Sequence, residues 1–360
     1  MAQFELLQVE ARTGNVEASL PMTSLQYGDT LNQAGSSTMA IPLSVADPAK
    51  LIPGRSALVV LRDGEPDWGG LMWSATADLA AGTLTMGASG WHSYYTRAYL
   101  VVFEMQPDRP LFGRWRGYKA TKDQALLLRD WLQWTDGGID TDTSWITTTG
   151  RIRTRDWGFA ECKSVAEAIN ELADDDGGFN FRYETYWKAR GRLIGNRFLH
   201  STRLKTSFPT LTHGSNAEVS QVSYDGTKLA SIAWVFGADD GTGGKPYQRA
   251  LNELDAPYLA QVATYSDIKS VDALTPKANA LAAVGRKPIA LPTLTLYPDV
   301  YDPAQFMPGA VGRVKVDSGY VNLSDQFVIT ERRIDVDVNG RETVSLSLAN
   351  KDVFVSGDSV

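Results

Sequence analysis

Cysteine is almost missing from this chain. Of 360 residues only Cys162 carries a thiol, so no disulfide can form within one molecule. That fits synthesis in a reducing compartment. Cys162 has no second cysteine beside it and precedes a capped helix. The expectation is a buried or half-buried apolar role, not a nucleophile. Histidine is scarce too: His92, His200 and His213 are the three present, and they lack metal-ligand spacing. No run approaches the roughly 18 apolar residues that a spanning helix needs. The start, MAQFELLQVEARTG, lacks the apolar core of a secretion signal. A basic excess is also absent. The formal net charge of −7 argues against tight nucleic-acid binding, which rests on clustered Lys and Arg. No Walker loop, His-Glu-x-x-His or Gly-x-Ser-x-Gly is found.

What is present is alternation. The chain is organised around a three-strand unit used twice, at Pro53–Ala88 and at Pro308–Leu348. Each copy opens with Pro-Gly, a turn pair. An alternating apolar run follows: Ala57, Val59 and Leu61 in one, Val311, Val314 and Val316 in the other. A Gly-bearing turn leads to a long strand, and a second reversal at Ala81-Gly82 or Asn339-Gly340 leads to a closing strand. The preserved order and spacing favour duplication over the chance resemblance of two meanders.

Length alone leads one to expect about two to three domains. Residues 1–105 read as short strands, a small β-barrel or sandwich. Leu25 to Ser37 reads as a loop or an irregular strand, Pro42 marks an edge strand, and Trp91 to Phe103 reads as aromatic strand. Residues 106–205 read as an α+β insert. Its two helices start at the capping-box spacings Thr121-Lys122-Asp123-Gln124 and Ser164-Val165-Ala166-Glu167. Residues 206–360 return to β as a second barrel, interrupted by a polar insert at about 238–289. Within it a helix is expected to start at Thr275-Pro276 and to be capped by Gly285. The predicted fold class is therefore mainly β with α+β insertions: two similar small β-barrel domains plus an α+β insert domain.

Several clusters invite a chemical reading. Asp136, Asp140 and Asp142 lie in a Gly-rich stretch and alternate as calcium ligands do, but the closing Glu is absent. A solvated helix end is the more ordinary reading. Asp174, Asp175 and Asp176 close a helix where its dipole disfavours anions, which suits a basic partner or simply a soluble turn. Glu65 and Asp67 beside Trp68 and Trp73 have the ingredients of a sugar-cleaving site, yet acids are common in hairpin turns. Gly237 to Gly244 shares only glycine content with phosphate-cradling loops. No catalytic, cofactor or metal residue is assigned, and no cofactor is expected.

The stretches RDGEPDWGGLMWSATADLAAGTLTMGASGWHSYY (62–95), SVAEAINELADDDGGFNFRYE (164–184) and MPGAVGRVKVDS with QFVITERRIDVDVNGRETVSLSL (307–348) carry a resemblance. The chain resembles the baseplate or tail-tip hub proteins of tailed bacteriophages, in particular the minor tail proteins of siphophages that infect actinobacteria. The resemblance implies a virion protein made in the host cytoplasm, forming a homotrimer. Its two barrels would give six similar faces that match a six-fold tail tube. It implies a distal tail or tube protein above, a fibre, spike or other minor tail protein below, and contact with a tape-measure protein. DNA would pass through without specific binding, and acidic walls would help. Plain solubility explains the acidity equally well. Two other readings stay open: a carbohydrate-binding β protein with Trp68, Trp73 and Trp91 as platforms, and a tail-borne cell-wall hydrolase. Candidate assembly contacts are Tyr27, Asn32, Trp68, Trp73, Trp91, Asp239, Asp240 and Tyr247. They lie in or near the polar, Gly-bearing segments 25–37 and 239–265 and the tryptophan-rich hairpin between them.

Overall fold

The computed structural model describes residues 2–106, 109–134, 138–174, 178–200, 204, 206–238, 244–265, 271–297, 300–337 and 339–351. Strands hold 52% of the chain and helices 13%, so the class is mainly β with helical insertions.

In chain order the first strands are β1 (Phe4–Glu10), β2 (Val16–Leu20), β3 (Ser24–Thr30), β4 (Ser36–Pro42), β5 (Ser56–Arg62), β6 (Glu65–Asp78) and β7 (Thr83–Gly90). Then come α1 (His92–Tyr95), β8 (Val102–Gln106), β9 (Arg109–Arg116), β10 (Tyr118–Asp123), α2 (Gln124–Leu132), β11 (Thr141–Asp142), β12 (Ile152–Trp157), α3 (Val165–Asp174), β13 (Phe181–Ala189) and β14 (Leu193–His200). The remainder is β15 (Leu211–Thr212), β16 (Ala217–Asp225), β17 (Ile232–Phe236), β18 (Tyr247–Leu251), β19 (Ala260–Thr264), α4 (Val271–Val284), β20 (Ile289–Leu296), β21 (Val311–Ser318), β22 (Val321–Val336) and β23 (Glu342–Asn350).

The chain divides into two compact units. The first holds residues 1–209, 295–311 and 329–346; the second holds 210–294, 312–328 and 347–360. In the first unit the strand path is β23-β22-β3-β4-β7-β6-β5-β1-β2. β5 reads SALVVLR and is buried on both faces, as a continuous apolar run demands when a sheet is covered twice. Its cover is the rest of the unit: Val59, Leu61 and Leu71 share one core with Leu128 and Trp131 of α2, Ile169 and Leu172 of α3, and Phe181 and Phe198 of the β13–β14 pair. In the second unit the path is β16-β20-β23-β22-β21-β15, and a separate sheet runs β18-β17-β19. No sheet closes into a barrel among the described residues.

The two three-strand units both form antiparallel meanders, β5-β6-β7 and β21-β22-β23. Their openings share two main-chain bonds. Arg55 N donates to Ile52 O at 3.0 Å, and Ala310 N donates to Met307 O at 2.9 Å. Gly54 N donates to Met72 O at 2.7 Å, and Gly309 N donates to Ile329 O at 2.9 Å. Gly54 and Gly309 have φ of +81° and +94°, the left-handed value that a type II turn requires after its proline. Gly64 and Gly319, then Gly82 and Gly340, repeat the positive φ at the two later reversals.

Some expectations need correction. Of the two readings of Leu25 to Ser37, the strand holds and the loop does not: most of it lies in the hairpin β3–β4. Pro42 ends β4, which lies between β3 and β7 instead of at an edge. Trp91 to Phe103 begins with the short helix α1, because Trp91 and Tyr95 must both reach the core. Thr121 lies in β10; the cap of α2 is Asp123, whose Oδ1 accepts from Ala125 N at 2.8 Å. α4 starts at Val271, before Thr275. Cys162 is exposed, at φ +44°. The capping box at Ser164 is present in both directions: Ser164 N donates to Glu167 Oε2, and Glu167 N donates to Ser164 Oγ. The Gly285 cap is also present, its N–H bonded to Leu281 O.

Candidate assembly face and a buried ion cluster

In the second unit, β17 runs apolar on both faces. Val235 packs with Leu274 and Ala278 of α4, and Ala233 on the same face is buried. The opposite face carries Ile232, Trp234 and Phe236. Register places Tyr247 beside Phe236, Arg249 beside Trp234 and Leu251 beside Ile232, with Val262 on the other flank of Trp234. Paired residues point to the same side of a sheet, so this face is aromatic and aliphatic. Its rim is exposed, with Tyr247 at 56%, Leu251 at 67% and Val262 at 65%, while Ile232 is buried and Trp234 and Phe236 are half-buried. Tyr247 leans on Trp234 and Phe236 at ring separations of 5.9 and 6.2 Å, and the Arg249 guanidinium lies 5.9 Å over Trp234.

In the first unit, the most heavily charged interior site surrounds Arg332. Along β22, Val328, Thr330, Arg332, Ile334 and Val336 alternate onto one face, and Arg332 is 0% exposed. Its Nη1 donates to Asp67 Oδ1 at 2.9 Å and to the Tyr301 hydroxyl at 2.6 Å. Its Nη2 donates to Asp29 Oδ2 and to Asp67 main-chain O. The Tyr27 hydroxyl donates to the other Asp67 oxygen at 2.7 Å. Burial works to lower the Arg332 pKa, but Asp67, Tyr301 and Asp29 outweigh it and hold the guanidinium well above its ordinary value. Burial pushes the Asp29 carboxyl up against the pull of Arg332. Burial and then Asp67 push the Tyr27 phenol far up. One buried guanidinium bridging two part-buried carboxylates is a staple: it joins β3, β6 and β22 where apolar side chains would only touch.

The other sequence-chosen residues fall in distinct places. Tyr27, Trp68 and Trp91 are interior. Trp68 Nε1 donates to Gly28 O at 3.0 Å, and Trp91 Nε1 donates to Thr185 Oγ1 at 2.9 Å. Asn32 ties the β3–β4 turn to β13: its N–H donates to Phe181 O, and its Oδ1 accepts from Phe181 N at 2.7 Å. Trp73 is half-buried, its Nε1 bonded to Ser93 Oγ and its ring covered by the Arg97 guanidinium at 4.8 Å. Of the trio of tryptophans, only this one presents any ring to solvent, which is poor material for a sugar platform. Asp239 and Asp240 lie outside the described residues. So does Asp136, while Asp140 pairs with Lys188 and Asp142 accepts from Ser144 N. Among the described residues no group of three metal-ligating side chains forms. Glu65 is exposed and pairs with Arg190. Asp67 is consumed by Arg332 and Tyr27, so the two carboxylates do not form a working pair.

Reading the chain in sequence missed Arg332, Asp29 and Tyr301. A signal for Arg332 existed: an arginine in phase with Val328, Ile334 and Val336 falls on the apolar face of its strand.

The sequence matches no family model and no curated protein. Solved structures do match. A tail protein from Neisseria meningitidis MC58 superposes with a TM-score of 0.60 at 13% identity, covering 98% of each chain. The 43 kDa tail protein of prophage MuSo2 from Shewanella oneidensis gives 0.61 at 13% identity, over 97% of this chain and 99% of that one. Prophage tail protein gp18 from Listeria monocytogenes EGD-e gives 0.54 at 13% identity, over 95% and 94%. The chain therefore shares its fold with these three tail proteins.

Proposed function

We propose that this chain is a structural hub of a phage tail tip, without enzymatic activity. Three copies form a ring around the DNA exit channel and adapt a six-fold tail tube to a three-fold fibre or spike. The observation that carries this reading is the end-to-end likeness to three phage tail proteins. Two features add support. The matched meanders opening at Gly54 and Gly309 give one chain two related modules, as symmetry matching requires. The face of Trp234, Phe236, Tyr247, Leu251 and Val262, with its exposed rim, offers an apolar contact for a neighbouring copy.

In this reading a distal tail or tube protein lies above, a fibre, spike or other minor tail protein lies below, and a tape-measure protein is a further neighbour. DNA passes without specific binding, and the protein resides in the virion. The working map remains a first hub domain at 1–105, an insert at 106–205, and a second hub domain at 206–360 with its own insert at about 238–289. Tyr247 is the leading contact residue, with Asn32, Trp73, Asp239 and Asp240 secondary.

The test is mass measurement and negative-stain imaging of the full chain, alone and with co-expressed tail proteins. The reading expects trimers or rings with three-fold or pseudo-six-fold symmetry, and their loss in Y247D/L251D. A monomer that never enters a ring with tail proteins would sink it.

A further inference from the structure

In the first unit a shallow groove of about 610 Å3 is lined by α2, by β11 with the turn after it, and by β13. Its size falls in the range that holds a small ligand, about 300–1,000 Å3. Every residue lining it carries a polar side chain, so an apolar ligand would gain little by entering. Two cations, Arg129 and Lys188, stand against two anions, Asp140 and Asp142. These groups are also engaged in place. Lys188 Nζ meets Asp140 Oδ2 at 2.5 Å, Arg129 Nη2 donates to Ile146 O, and Asp142 Oδ1 accepts from Ser144 N at 2.8 Å. A groove without an unbalanced charge has no strong attraction for phosphates or for free cations.

Gly195 makes the floor. It lies on β14, the strand between β11 and β13. A Cβ there would sit 2.8 Å from Tyr186 Cζ and from Lys188 Cγ and Cε. Its missing side chain lets both residues cross β14 towards β11. There Lys188 reaches Asp140, and the Tyr186 hydroxyl comes within 3.5 Å of Asp142 Oδ2. The Arg197 guanidinium lies 4.0 Å over the Tyr186 ring and 4.8 Å over the ring of Trp145, which follows Ser144 of the groove and is 38% exposed. Hydrogen-bonding capacity remains on the solvent side. The Asp140 side chain is 80% exposed. Gln133 uses one N–H on Thr143 Oγ1 at 3.1 Å and has a second N–H and a carbonyl besides.

A pyranose ring matches this lining. It is uncharged. Its hydroxyls both donate and accept, so neighbouring ones can serve a carboxylate and an amide or ammonium at once. Its C–H face can rest on an aromatic ring. We propose that this groove binds a neutral saccharide, with Asp140, Asp142, Gln133 and Lys188 as hydrogen-bonding groups and Tyr186 as the aromatic wall. The inference is independent of the tail reading: a chain that forms rings and binds no glycan would defeat this proposal and leave the other standing.

The experiment records saturation-transfer difference NMR spectra of maltohexaose, chitohexaose and mannohexaose with the full-length chain, and of a heparin hexasaccharide as the polyanionic comparison. A neutral glycan should bind saturably, with half-saturation on the order of millimolar, the range of a small polar site. The double variant Asp140→Ala/Lys188→Ala keeps the charge sum and should weaken binding about tenfold, as the loss of charged hydrogen bonds implies. Gly195→Ala keeps every groove side chain but displaces Tyr186 and Lys188, and should weaken binding as well. Lys119→Ala/Asp156→Ala, which removes an exposed ion pair between β10 and β12, should leave it unchanged. Should the first variant not fold, Gln133→Ala, at an exposed position, reads the same groove. No saturable signal from any neutral glycan, equal binding by wild type and the groove variants, or a preference for heparin would each overturn the proposal.

Discussion

Arg332 holds Asp67 twice, at the side-chain Oδ1 (2.9 Å) and at the main-chain oxygen (3.2 Å). A side chain from the end of the chain thereby fixes both the rotamer and the backbone of β6. Truncating it would leave Asp29 and Asp67 facing each other in the interior with no cation between them. Arg332→Met is expected to cost about 3–5 kcal/mol, read as a fall in the urea midpoint. Adding Asp67→Asn to that variant should recover part of the loss, because the stranded charge is removed. Strictly additive costs would show that the pair is not coupled.

The two opening turns should respond unequally to the same change. Gly54→Ala meets open space, with the Trp73 ring 3.8 Å from the new Cβ, so it carries only the left-handed strain. That strain is about 1–2 kcal/mol. Gly309→Ala adds a contact of 3.1 Å to Leu204 Cβ, and should cost more. Paired denaturation curves decide it. Equal losses would mean that the crowding at Gly309 relaxes freely.

His92 gives the stability a slope with pH. It is 4% exposed, and burial lowers its pKa from 6.5 to about 4. Between these values the unfolded chain binds a proton that the folded chain refuses. Stability therefore falls as the pH drops from 6.5 towards 4, by up to about 3 kcal/mol. Urea midpoints of wild type and His92→Gln at pH 7.0 and 4.5 isolate the effect. Wild type should lose more than the variant. Parallel losses would assign the slope to carboxylates alone.

The turns were the most readable part of this chain. Pro53-Gly54 and Pro308-Gly309 declare their conformation locally, since a proline followed by the one residue that tolerates positive φ leaves little choice. That Ile232, Trp234 and Phe236 of β17 share one face was equally legible by alternation; which face α4 covers was not. Where reading failed, distant residues decided. Glycine and polar side chains made Leu25–Ser37 look irregular, but Arg332 and Asp335 of β22 bind Asp29 and Gln26 and hold β3 in the sheet. Trp68 and Trp91 looked like surface aromatics because nothing local reveals that Gly28 O and Thr185 Oγ1 wait for their indole N–H groups. The ion cluster was invisible for the same reason, since its members come from four separate segments.

That spread has a consequence for synthesis. Asp67 precedes its cation by 265 positions, which at about 5–20 residues per second is a delay of roughly 13–50 s on the ribosome. Until Arg332 emerges, β3 and β6 carry acids that cannot be buried without their counter-ion. The first unit must therefore mature only after Arg332 has been made, and a product cut short of Arg332 would carry a sheet unable to finish closing around its own carboxylates.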